Sequence, residues 1–125
     1  MINAKIIEDY FTSLKSDKNE IFSDIEKSHG GNEKGLNPHE LVEAALAACT
    51  IMTMKSYANI KGFDLGDTFV DVKIENEGVE SKLTRTIKLD SKIDEKMQER
   101  LMLVANKCPI HKLLMSNITI DTIKS

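Results

Sequence analysis

Tryptophan is absent from this chain of 125 residues, aromatic residues make up 5% of it, and there are only two prolines and two cysteines. Two cysteines are too few for the disulfide framework of a small secreted domain. Long apolar runs are missing too, the longest candidate being Leu41 to Met54, which falls short of the roughly 20 residues a helix needs to span a bilayer. No sign of charge dominates: 20 acidic and 17 basic residues leave a net charge of −3, with no block of either sign. That balance gives no electrostatic reason to expect nucleic acid or an anionic membrane as a partner, and leaves small molecules or proteins. The opening MINAKIIEDYFTSLKSDKNE has neither the basic start nor the continuous apolar core of a signal peptide, so a cytoplasmic location is expected. In that reducing compartment a cysteine pair is more often a redox or metal pair than a staple, although two inert buried thiols also fit.

At this length, with 41% hydrophobic residues, a single domain over residues 1–125 is expected. Ile2 to Ile25 mixes short apolar segments with the polar break Ser16-Asp17-Lys18-Asn19 and reads as two or three short strands. His29 to Asn37 carries Gly30, Gly31 and Gly35 and reads as a mobile, lid-like loop. Asn37-Pro38-His39-Glu40 then announces a helix: Asn37 suits the N-cap, Pro38 the first turn, and Glu40 the far side of a capping box. That helix should run to about Ile60 and stop at Gly62. Between Leu41 and Met54 its only charge is Glu43, so protein must wrap it nearly all round. A chain this small has little mass for that, which points to an intertwined homodimer.

Phe69 to Glu75 and Leu83 to Leu89 alternate with period two around a turn containing Gly78, the pattern of an antiparallel hairpin with one buried face. Ser91 to Asn106 returns to helical spacing, with Ser91 as cap and Ile93, Met97, Leu101 and Val104 on one side. Cys108-Pro109 opens a short helix, and Ile118 to Ile123 alternates as a final strand. The whole is an α+β pattern.

A thiol becomes nucleophilic when its thiolate is favoured by a helix end, a cation or hydrogen bonds. Cys108 precedes Pro109 and so occupies an N-cap, with Lys107 and His111 close by, which makes it the better local candidate for a lowered pKa. Cys49 lies about twelve residues inside its helix, beyond reach of the dipole, and any activation must come from tertiary neighbours. Both thiols also read as ordinary small packing residues. Arg85 shares a face with Leu83, Ile87 and Leu89. Either its stem packs while its head escapes to solvent, or its charge is directed into a pocket. Arg100 falls on a solvated helix face, His39 is a solvated first-turn residue, and Glu40 reads first as a cap. Met52, Met54 and Leu46 read either as the lining of an apolar pocket or as core. His29, His39, His111 and the two cysteines show none of the paired spacing of zinc sites, and no glycine-rich nucleotide fingerprint is present, so neither metal nor cofactor is expected.

GLNPHELVEAALAACTIMTMKSYANIKG, LTRTIKL and NKCPIHKLL, in that order, resemble the OsmC/Ohr family of osmotically inducible and organic-hydroperoxide-resistance proteins. The resemblance covers most of Gly35 to Leu114. It implies an OsmC-like α+β fold with a long buried central helix and an intimate homodimer. It also implies a thiol peroxidase in oxidative-stress defence: Cys49 would attack an organic hydroperoxide, Cys108 would resolve the sulfenic acid, and an external dithiol, of lipoyl type in well-studied members, would reset the disulfide. Family members that reduce hydroperoxides pair an early arginine with a glutamate ten residues before the first cysteine. Here His39 stands at that place, Glu40 follows it, and no arginine precedes Arg85, so Glu40 and Arg85 are the expected substitutes, with an N-terminal lysine as the other candidate cation. The NPHEL form is closer to the OsmC-like branch, for which redox sensing or small-ligand binding without efficient turnover is the alternative, and an inert scaffold a third.

Overall fold

Asn37 accepts a hydrogen bond from the Glu40 amide on its side-chain oxygen at 2.8 Å, and its own amide donates to the Glu40 carboxylate at 3.0 Å. This reciprocal capping box satisfies donors that the first helical turn leaves unpaired, and it starts α1, Pro38–Lys61. The helix ends where Gly62 turns to a positive φ of 78°, a conformation that glycine adopts without a Cβ penalty. The computed structural model describes all residues 1–125, and they gather into two compact units, Met1–Glu43 and Ala44–Ser125.

The first unit holds an antiparallel sheet of β1, Asn3–Glu8, β2, Phe11–Lys15, and β3, Glu20–Ser23, in that order. The polar break at Ser16 to Asn19 forms the β2–β3 turn, closed by a 2.9 Å bond from the Ser16 amide to the Asn19 carbonyl. The loop beyond β3, expected to be a mobile lid, is instead tied to a buried carboxylate: Asp24, 1% exposed, accepts the amides of Ile25, Asn32 and Lys34. Burial alone would raise its pKa, but those three amides, with Lys34 nearby, hold it below the ordinary value. Gly31 passes against the Ile25 carbonyl, where any Cβ would collide. The glycines that suggested freedom therefore permit close packing.

The second unit contains most of α1, the antiparallel hairpin of β4, Phe69–Asn76, and β5, Lys82–Lys88, then α2, Glu95–Ala105, and α3, Pro109–Leu114. The register pairs Val70 with Ile87, Val72 with Arg85 and Ile74 with Leu83, which puts all six on one half-buried face, as the alternation required. Met54, Ala58, Leu65, Ile93, Leu101, Val104 and Ala105 form the core beneath it. Burying each of the larger side chains contributes about 1.5–3 kcal/mol.

Three expectations are corrected. Asp94, not Ser91, caps α2, its carboxylate accepting the Met97 amide at 2.8 Å, because a turn through Asp90 and Ile93 occupies the preceding residues. In the single chain, α1 is covered along one stripe, Leu46, Thr50, Met54 and Ala58, while Met52 is 65% and Ile60 82% exposed. Met52 thus points away from Met54 and Leu46, which are core, and the three do not line one pocket. Finally, Ile118 to Ile123 forms no strand, for in one chain it meets no strand edge to complete its backbone hydrogen bonds.

Candidate functional site

α1 presents Cys49, Cys108 caps the start of α3, and the fold brings together these thiols 59 positions apart in the chain. Both are free, and they lie close enough for each to shift the ionisation of the other. Cys49 is partly exposed, whereas Cys108 is fully buried. Cys108 caps α3, its sulfur accepting the His111 amide at 3.4 Å.

The pair is electrostatically unequal. Burial pushes the Cys49 thiol up and the neighbouring Cys108 sulfur pushes it further, against smaller opposing contributions from the Ile110 amide and the Thr53 hydroxyl. Burial would raise Cys108 as well, but hydrogen bonds from Cys49, from the His111 and Ile110 amides and from Thr50 outweigh it, leaving Cys108 below the ordinary thiol value. Of the two thiols, Cys108 is therefore the one that gives up its proton first. The local reading of the sequence ranked the two thiols in this order.

Arg85 does not escape to solvent. From β5 its Nη1 donates to the Thr50 hydroxyl at 3.0 Å and to the Ala105 carbonyl at 3.3 Å. Its Nη2 meets the Asn106 side-chain oxygen at 2.8 Å and His111 Nδ1 at 3.2 Å. Since a guanidinium only donates, His111 Nδ1 is the acceptor here and its ring proton sits on Nε2. The arginine thus reaches the neighbourhood of the sulfurs through Thr50 and His111, and on the Cys108 side. Thr50, Thr53 and Asn106 went unremarked in the sequence. The one signal was a threonine directly after Cys49 in a nearly all-apolar helix, where a hydroxyl must find a partner.

Glu40 belongs to the first unit, bound in the capping box, and lines an open cavity of about 820 Å³ with Ile21, Phe22, Glu26, Leu36 and Leu41. Its carboxylate is engaged as the cap that its sequence position announced. No group of three or more histidine, cysteine or acidic side chains is placed to hold a metal ion, and no helix is long and apolar enough to cross a membrane.

Antiparallel sheets and one long helix, with two free thiols near each other, define an α+β class of thiol-bearing proteins. The OsmC-like protein family profile matches residues 30–123, and the chain belongs to that family. Its fold is similar to that of an OsmC-like protein from Mycoplasma pneumoniae, with a TM-score of 0.77 at 23% identity over 91% of this chain and 85% of that one. It is also similar to an organic hydroperoxide resistance protein from Elizabethkingia anophelis, with a TM-score of 0.67 at 21% identity, covering 94% of this chain and 89% of that one. An organic hydroperoxide resistance protein OsmC from Legionella pneumophila gives a TM-score of 0.66 at 18% identity over 94% and 89% of the two chains. No curated protein matches the chain.

Proposed function

We propose that the protein is a single OsmC-like domain that reduces organic hydroperoxides by a two-cysteine cycle, acting as a homodimer in the cytoplasm. The observation that carries this reading is the closeness of a partly exposed thiol, Cys49, to a buried one, Cys108, whose pKa is the lower of the two. When a hydroperoxide arrives at protein with Cys108 ionised, the Cys49 proton passes to the Cys108 thiolate, and the Cys49 thiolate attacks the terminal peroxide oxygen. The O–O bond breaks, the alkoxide takes the proton from Cys108 and leaves as alcohol, and Cys49 becomes a sulfenic acid. The Cys108 thiolate then attacks the Cys49 sulfur, forming the disulfide and expelling hydroxide, which leaves as water after taking a proton from solvent. An external dithiol, of lipoyl type by family resemblance, returns two electrons. Arg85 supports the charge on the sulfur pair, and Glu40 serves the site by fixing the start of the helix that carries Cys49.

The test adds an alkyl hydroperoxide to reduced protein and counts free thiols. Both should disappear within seconds at one equivalent, and thiols that stay reduced would refute the cycle. A second reading has its own support: the Cys49 thiol is pushed up rather than down, which lowers its thiolate fraction at neutral pH and suits a slow redox sensor. Oxidation over minutes to hours would select it.

A further inference from the structure

Thr50 is fully buried, one residue from Cys49, and each part of its hydroxyl has a partner. Its proton reaches the Leu46 carbonyl at 2.6 Å, and one lone pair takes Arg85 Nη1 at 3.0 Å. The Cys108 sulfur lies near enough to this hydroxyl for Thr50 to favour its ionised form. One proton thus faces two acceptors, the Leu46 carbonyl and Cys108. Leu46 also belongs to the helical hydrogen-bond ladder of α1, so its carbonyl is not orphaned when that proton turns away.

We propose that Thr50, held by Arg85, is a positioning residue for Cys108: its hydroxyl swings from the Leu46 carbonyl to the sulfur when that sulfur carries charge, and the arginine acts through it. Arg85 polarises the hydroxyl it donates to, so its positive charge is felt at a sulfur buried out of its own reach. A second route runs in parallel, since Arg85 also fixes the ring of His111, whose amide donates to the Cys108 sulfur at 3.4 Å. The titratable groups that act on Cys108 are then Cys49 from α1 and His111 from α3, the latter through its amide, while the charged Arg85 of β5 stands behind Thr50 and the His111 ring. The arginine that the family places early in the chain to serve the first cysteine has here a counterpart that serves the second.

For its consequence in turnover this assignment rests on the peroxidase reading, but its test needs no peroxide. In a Cys49→Ser protein Cys108 is the sole thiol, and its ionisation is followed by thiolate absorbance at 240 nm, which does not require a reagent to reach a buried atom. Adding Thr50→Val should raise the titration midpoint by about one pKa unit, a tenfold change in the dissociation constant. Thr50→Ser should restore it. Arg85→Met should also raise the midpoint and Arg85→Lys should raise it less, and these variants decide the matter if Thr50→Val does not fold by circular dichroism. A midpoint unmoved by Thr50→Val, a serine no better than valine, or an Arg85→Met protein that titrates like its parent would overturn the assignment. Shifted midpoints in a protein inert to hydroperoxides would support the relay and defeat the peroxidase reading.

Discussion

The chemistry is divided between the two sulfurs by what surrounds each. Cys49 is reachable and has its pKa raised; Cys108 is sealed off and has its pKa lowered. In thiol–disulfide exchange the attacking thiolate must reach a sulfur, and the better leaving group is the thiol of lower pKa. Both criteria choose the same direction for reduction: attack at Cys49, with the electron pair of the broken S–S bond passing to Cys108. Oxidised protein treated with a monothiol such as glutathione, then acid-quenched and digested, should therefore carry the mixed disulfide on Cys49 in mass spectra, and adducts mainly on Cys108 would reverse the assignment. The local context of Cys108 in the sequence foretold its low pKa, since the N-cap position and neighbouring amides are properties of the segment itself. Thr50 and Asn106 could not be foretold, because their significance comes from a guanidinium on a strand 35 and 21 positions away. A threonine in a nearly all-apolar helix signals that its hydroxyl needs a partner, but not which partner it finds.

Elements were legible wherever their cause is local. The Asn37–Glu40 capping box, the glycine stop at Gly62 and the β4–β5 register each follow from residues a few positions apart or from strict alternation. The loop between β3 and α1 was misread because Gly30, Gly31 and Gly35 look the same in sequence whether they loosen a chain or admit close backbone approach. What decides is Asp24, whose carboxylate gathers the amides of Ile25, Asn32 and Lys34. Because its folded pKa lies below that of the unfolded chain, about 3.9, its stabilising contribution is fully present above that value and is lost as pH falls through the lower folded one. Asp24→Asn replaces one accepting oxygen by a donor that faces amide donors, so the melting temperature should drop at pH 7. The gap between the two proteins should narrow as the pH approaches 3. A gap that is constant from pH 7 to 3 in calorimetric scans would show that the carboxylate's charge contributes nothing to holding the loop.

At the scale of the whole molecule, the features left unfinished in one chain point the same way. The sequence demanded that α1 be wrapped, yet the single chain covers only the stripe from Leu46 to Ala58 and leaves Met52 and Ile60 largely open. It demanded a strand at Ile118 to Ile123, yet Ile118, Ile120 and Ile123 stand 55%, 83% and 87% exposed in irregular chain. In the proposed homodimer an alternating apolar segment without a strand to pair with and a half-covered apolar helix would complete each other, for pairing between chains supplies backbone partners and burial together. Light scattering coupled to size exclusion should accordingly give twice the 14.0 kDa chain mass at micromolar concentration. Replacing Ile118 and Ile120 together by aspartate should weaken the dimer by placing charge where apolar contact is needed, and should lower the melting temperature in a concentration-dependent way. If the chain runs as a 14.0 kDa monomer at high concentration, or if the double aspartate variant associates as tightly as the parent, the exposed tail and helix face need another explanation, and the proposed homodimer falls.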